Sequence, residues 1–279
     1  MEIKVDWQTY LHDLRQQQAN KIFRSYLKNT FDNALELGAG DGFMSSVLAK
    51  YTKNLLCTEI NEDRLCPIDL SNVRYQVLDA ENVSESFEAQ TFDFIFSSNL
   101  LEHLPDTDKA LEGMHRVLTD DGVTIHVLPN RTWKITTILC YIPNKIIMTI
   151  DKFLAGRLFK RRSGHKFGQA HKKKYGGNNQ KIGRKKQSRL TKLFLPAIHG
   201  VSANTLQEIY VFGRKSWIRR FQNAGFDVIA MQKMPFNSGY GFGFKGVKCL
   251  MEQLGLSSGT AFVLCKNGYK SKYEKVYIN

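Results

Sequence analysis

Three glycines, three carboxylates and two histidines stand where they could do chemistry together. The run Leu35-Glu36-Leu37-Gly38-Ala39-Gly40-Asp41-Gly42 joins an apolar, strand-like stretch to a helical one that starts near Phe43. Glycines at such a turn let the backbone approach a ligand and adopt left-handed conformations that a Cβ would penalise. A dinucleotide fingerprint, G-x-G-x-x-G, would place glycine at position 43, where the chain has Phe43. Glu59 follows about 20 residues later, where a carboxylate can accept from both hydroxyls of a ribose. Asp79 ends a further apolar run, where an acid can accept from an adenine amino group. Either acid alone could be an ordinary solvated strand end. In series behind the glycine loop, they specify a nucleoside.

The elements that must position these residues follow from periodicity. Short apolar runs at Asn33–Leu37, Asn54–Glu59, Val73–Leu78, Phe92–Ser97 and Val123–Leu128 alternate with helical stretches, which implies a mostly parallel sheet. The leading segment, Trp7 to Asn29, has apolar residues at roughly helical spacing, so an amphipathic helix is expected to cover an edge or the nucleoside cleft. After His199 the pattern resumes, with a helix over Trp217–Asn223 ending at Ala224-Gly225, a strand over Phe226–Met234, a Gly/aromatic loop from Gly239 to Gly246, and a last strand at Thr260–Cys265.

With these motifs in hand, the chain resembles class I S-adenosylmethionine (SAM)-dependent methyltransferases, particularly the branch that includes ubiquinone and menaquinone biosynthesis methyltransferases. The residues that carry the resemblance are the Glu36-x-Gly38-x-Gly40-x-Gly42 loop, Glu59, Asp79, the stretch from Phe92 through Ser98-Asn99-Leu100-Leu101-Glu102-His103-Leu104, and Leu118-Thr119-Asp120-Asp121-Gly122-Val123 before a strand. It covers residues 31–130 strongly and returns weakly at 217–234. It implies an α/β fold, a doubly wound, Rossmann-like, mostly parallel seven-stranded sheet whose last strand is antiparallel. It also implies a SAM site made by Glu36, Gly38, Ala39, Gly40, Gly42, Glu59, Ile60, Asp79, Ala80, Asn99 and Leu100. The glycines would approach the methionine and ribose portions, Glu59 the ribose, Asp79 with Ala80 the adenine, and Asn99 the sulfonium. Methyl transfer from an activated donor needs mainly alignment and, for a hydroxyl acceptor, a base. His103, expected to open the helix after Asn99, and His199 are the candidates. No histidine or cysteine spacing suggests a metal site.

The acceptor must be sought elsewhere in the chain. Net charge is +14, and residues 156–192 contain 14 Lys and Arg with no acid, so one segment accounts for the whole excess. Four parts are expected: a helical extension (1–30), the SAM-binding core (31–131), an apolar then polybasic insertion (132–200) and the remainder of the methyltransferase domain (201–279). Apolar residues from Ile135 to Phe159, followed by dense cations, suit a helix lying in a membrane interface near anionic head groups. The leading expectation is therefore methylation, at an oxygen, of a small-molecule, glycan or lipid-linked acceptor, with residues 156–192 against an anionic membrane surface. An RNA methyltransferase is the second expectation. It is disfavoured by the few aromatic residues in the basic run and by the lack of an Asn/Asp-Pro-Pro-aromatic motif after the fourth strand. A SAM-binding scaffold without turnover is the third. Five scattered cysteines, and no apolar run of the roughly 18 residues a membrane span needs, fit a cytoplasmic protein, peripheral on the inner face of the membrane. The N-terminal residues do not resemble a secretory signal.

Overall fold

Alternating side chains give the sheet two different apolar faces. The computed structural model describes residues 6–26, 30–65, 67–161, 195–237, 239–240 and 245–273. Its strands are β1 (Phe31–Leu37), β2 (Thr52–Glu59), β3 (Val73–Val77), β4 (Phe92–Ser98), β5 (Leu118–Pro129), β6 (Phe226–Lys233) and β7 (Gly259–Lys266). They form one seven-stranded sheet in the order β3-β2-β1-β4-β5-β7-β6. The first five pair in parallel, and β7 runs antiparallel to both β5 and β6. This is the doubly wound arrangement the sequence predicts.

Strand β1 sits between β2 and β4, with Ala34 registered against both Leu55 and Phe94. The chain moves outward from β1 to β3 and then returns to lay β4 on the other side of β1. That reversal opens a crevice beyond the carboxyl ends of the two strands.

On one face Ala34, Phe94, Phe96, Ile125 and Val263 pack against α1 (Trp7–Ile22) and α2 (Phe43–Leu48). Phe31 and Phe94 are fully buried and stack with ring centroids 4.0 Å apart. Each such phenyl contributes about 2–3 kcal/mol by burial. On the other face Leu35, Leu37, Ile95 and Leu264 meet α4 (Thr107–Val117) and α7 (Arg214–Asn223). Helix α4 shows why it forms there. The Asp106 carboxylate accepts from Lys109 N at 3.0 Å as an N-cap, and Ala110, Leu111, Met114 and Val117 make a buried stripe.

Several local expectations need correction. The leading helix stops at Ile22, well short of Asn29, where α1 gives way to a turn. Strand β3 stops at Val77, so Asp79 lies beyond the strand and caps a 3-10 turn. The apolar part of the insertion is the helix expected there, α5 (Arg131–Arg161), which starts earlier than Ile135 and continues through Pro143. Helices α3 (Val83–Ser86) and α6 (Thr205–Val211) complete the flanks. Helix α8 (Lys245–Gln253) begins within the Gly/aromatic loop expected to run to Gly246. Of the polybasic run, residues 162–192 lie outside the described residues, as do 241–244 of the Gly/aromatic loop.

Candidate cofactor and acceptor site

The glycine loop leaves β1 with Gly38, Gly40 and Gly42 at φ of +74°, +56° and +76°. It is fastened to the end of β2. Gly38 N and Ala39 N both donate to Thr58 O, at 2.8 and 2.9 Å, and Gly40 N donates to Glu59 Oε2 at 3.1 Å. A Cβ on Gly38 would sit 3.1 Å from Leu100 Cδ1, so the loops after β1 and β4 touch across the crevice.

Helix α1 closes the outer side of this loop. Asp41 accepts from Arg15 Nη1 at 2.7 Å and pairs with His12 Nε2 at 2.9 Å, while the His12 ring stacks on Phe43. Burial works against the Asp41 carboxylate, but the His12 hydrogen bond and the Arg15 charge outweigh it and hold its pKa below the usual range.

Each predicted cofactor residue has a defined place. Glu36 is buried under the loop, taking a hydrogen bond from Ser45 Oγ, and burial pushes its carboxyl pKa up to about 7. It therefore ties β1 to α2. Glu59 is buried at the end of β2, with Asn61 N donating to Oε1 at 3.4 Å. The carboxylate keeps lone pairs beyond the two used by backbone donors. Its neighbour Ile60 is 61% exposed. A buried carboxylate beside an open apolar side chain suits an adenosine, with acceptors for the diol and a surface for the base. Asp79 Oδ1 accepts from Glu81 N at 3.0 Å, and Ala80 is buried behind it.

Asn99, exposed at the end of β4, is held at φ +51° while its N donates to Val127 O at 2.9 Å. A non-glycine residue in the left-handed region at the mouth of the crevice is strain of the kind that functional sites hold. These residues fit SAM: Gly38, Gly40 and Gly42 would admit its chain, Glu59 and Ile60 its adenosine, and Asn99 would face its reactive end.

The two histidines meet. His103 does not open a helix; it closes a 3-10 turn, Leu101–His103, and α4 starts later, at Thr107. His199, which re-enters after the insertion, packs its ring against that of His103 with centroids 4.4 Å apart and against Trp133 of α5 at 4.8 Å. Between the histidines lies Glu102, only 4% exposed, with Oε1 3.9 Å from His103 Nε2 and 3.7 Å from His199 Nε2. Neither carboxyl oxygen of Glu102 has a hydrogen-bond partner among the described residues.

Below His199, Glu208 Oε1 accepts from the His199 backbone N at 2.9 Å, and Lys134 Nζ lies 2.5 Å from Glu208 Oε2. Both members of that ion pair are buried. Glu102, His103 and His199 each present one ligand atom within 4.8 Å of the others. The group can thus act as an acid–base set or hold a divalent cation, an option that sequence spacing did not reveal.

Sequence reasoning did not single out Trp133, Lys134 or Glu208. One signal was available in Gly200 beside His199. It stands at φ +78°, and a Cβ there would fall 2.2 Å from Glu102 O, so only glycine lets the returning chain reach the turn.

A glycine loop, an acid ending β2 and another in the turn after β3, at the switch point of a sheet ordered β3-β2-β1-β4-β5-β7-β6, define a class I, SAM-type methyltransferase fold. The chain belongs to the methyltransferase-domain family, whose sequence profile matches residues 8–231. SAM is the cofactor of that class. Among relatives, the arginine-hydroxylase NDUFAF5 of Danio rerio is 30% identical over 129 residues, covering 43% of this chain and 40% of its own length. A ubiquinone biosynthesis O-methyltransferase of Hydrogenovibrio crunogenus is 25% identical over 138 residues, covering 47% and 56%. The chain thus spans about half the length of the curated relatives it matches. A methyltransferase of Haloferax volcanii, solved with the Trm112 methyltransferase activator, superposes with a TM-score of 0.54 at 10% identity, covering 94% of this chain and 95% of that one. This last likeness is one of fold.

Proposed function

We propose that the chain transfers a methyl group from SAM to an oxygen of a small-molecule, glycan or lipid-linked acceptor, and that it works against an anionic membrane surface. The observation that carries the reading is the buried Glu102 carboxyl set between two histidines just beyond the strained Asn99. SAM, when bound, supplies a methyl group that is already activated. The chain then has three tasks. Glu59 and the glycine loop fix the adenosine end, Asn99 and Leu100 align the crevice side of β4, and His103 or His199 takes the acceptor's proton. An imidazole that gains a proton there acquires a Glu102 carboxylate within 4 Å as its counter-charge. Trp133 and Phe212 wall the His199 ring, with centroids at 4.8 and 6.3 Å, and help keep water away from that proton.

The membrane part of the reading rests on α5. Ile135, Leu139, Ile142, Ile146 and Ile150 are all exposed and recur at helical spacing, which makes one open apolar stripe. The basic run begins before that helix ends. No helix among the described residues is long and apolar enough to cross a membrane. An interfacial placement uses both stripe and charge.

Calorimetric titration with SAM tests the cofactor step, and tritiated SAM incubated with fractionated lysate reports turnover and acceptor class together. His103→Ala and His199→Ala should each leave SAM affinity within twofold, and the variant lacking the base should lose about 100-fold in transfer rate. Full rate in both variants would remove the base assignment. Flotation with phosphatidylglycerol vesicles, against phosphatidylcholine vesicles and against RNA retention, tests the surface. Selective RNA retention would move the acceptor to nucleic acid.

A further inference from the structure

A cavity of about 230 Å³ lies beyond the ends of β5 and β7, between the starts of α5 and α7. Arg131 and Arg214 stand on its wall, with Phe212, Trp217 and Phe262 beside them, and none of its lining residues is acidic. Neither arginine makes an ion pair with a carboxylate among the described residues. The guanidinium of Arg131 is anchored by one edge only, with Nε donating to Ile209 O at 3.0 Å. It lies over Gly213, where a Cβ would come within 2.4 Å of Nη2.

Gly213 is also the N-cap of α7 and offers no side chain to the first-turn N–H groups of that helix. The cavity therefore gathers two guanidinium groups that have no carboxylate partner among the described residues and a helix start with no side-chain cap. A third observation points the same way: Trp217 is 2% exposed, lines the cavity and has no acceptor for its indole N–H among the described residues. The charged side chains of the lining are both cationic, and its other polar side chains are those of Asn130, Thr132 and Thr260. Phe212 separates this cavity from the histidine pair, because its ring also packs 6.3 Å from that of His199.

We infer that this cavity is an oxyanion subsite that receives a phosphate or carboxylate group of the methyl acceptor. A planar guanidinium with one edge anchored keeps its other edge for a bidentate oxyanion, and the helix start adds partial positive charge. That the anion belongs to the acceptor rests on the function proposed above, whereas anion binding itself does not.

The test is calorimetric titration of the full chain with inorganic phosphate and, separately, with acetate, at constant ionic strength set by chloride. SAM affinity is measured in parallel. Saturable binding of either anion is expected, weakened about tenfold or more in Arg131→Gln/Arg214→Gln with SAM affinity unchanged. Gly213→Ala is the second variant. Its φ of −70° accepts alanine, the clash falls on the movable tip of Arg131, and net charge is preserved. It should lower anion affinity while leaving the thermal midpoint within a few degrees.

Phosphate alone or acetate alone would fix the anion and support the inference. No saturable binding of either, or equal binding by wild type and both variants, would overturn it. Loss of SAM binding in the wild-type chain with anion binding intact would instead count against the functional reading.

Discussion

Asp93, at the amino end of β4, and Glu102, just beyond its carboxyl end, are both buried carboxyls in different company. Asp93 accepts from Asp32 N at 3.0 Å, Asn33 N at 2.9 Å and the Tyr273 hydroxyl at 2.5 Å, with Lys272 Nζ 3.5 Å away. The Glu102 carboxyl has no hydrogen-bond partner among the described residues, and two imidazole edges lie within 4 Å of it. The histidines repeat the contrast. His126, fully buried, has Ser97 Oγ and Thr124 Oγ1 at 2.8 Å from its two ring nitrogens, and burial pushes its pKa down to about 3. His103 and His199 stay partly exposed. Burying a polar group without a partner costs about 1–3 kcal/mol, and proteins keep such groups mostly where function uses them. The amino end of β4 is therefore built for stability, and the turn beyond its carboxyl end keeps polar capacity in reserve.

The largest effect should come from the crevice end. Glu59→Ala removes a buried carboxylate and frees Gly40 N, and calorimetry should show SAM affinity about 100-fold weaker. Wild-type affinity would break the division between the two ends. Next come the two carboxyls themselves. Asp93→Asn should destabilise the fold by about 2–4 kcal/mol in urea denaturation, because two backbone donors and Tyr273 share that group. Glu102→Gln should cost less than about 1 kcal/mol yet slow methyl transfer. Equal destabilisation by the two would erase the contrast.

Glu36 gives a smaller, pH-dependent effect. Its pKa in the folded chain is about 7 against a usual 4.5, so the folded state holds a proton that the unfolded state releases. The stability this group contributes is complete below about pH 4.5 and is lost as pH rises through 7. The stability of wild type relative to Glu36→Gln should thus fall across that interval, by on the order of 3 kcal/mol at most. A flat difference from pH 4.5 to 8 would show that Glu36 is not held neutral. The smallest effect expected is none: dialysis against EDTA should leave transfer unchanged. Loss of activity restored by a divalent cation would reassign Glu102, His103 and His199 from proton transfer to metal ligation.

The sheet, and the crevice end where the candidate cofactor residues lie, were legible because both are written locally. Apolar alternation marks each strand, and Gly38, Gly40, Glu59 and Asn99 fall at strand ends, where short-range spacing fixes their position. Helix α5 was legible from its apolar run, although Pro143, Asn144 and Lys145 interrupt that run. Proline removes one donor and crowds the preceding turn, yet α5 continues through it. Helix α8 starts at Lys245-Gly246, next to a glycine-rich stretch that carries a turn signal. The meeting of His103 with His199, and the gathering of Arg131 with Arg214, join residues far apart in sequence. No local period encodes such contacts; they exist only once the sheet has folded.

The buried pair of Lys134 and Glu208 has a consequence for how this chain can be altered. Lys134 lies at the start of α5, and its Nζ reaches Glu208 Oε2 at 2.5 Å and Ala197 O at 3.4 Å, on the far side of the insertion. The segment between them therefore leaves and returns at one fixed point, and the cost of closing so long a loop grows only slowly with its length. Shortening or exchanging it should leave the sheet intact, so different acceptors could be served by grafting new segments onto one unchanged catalytic frame.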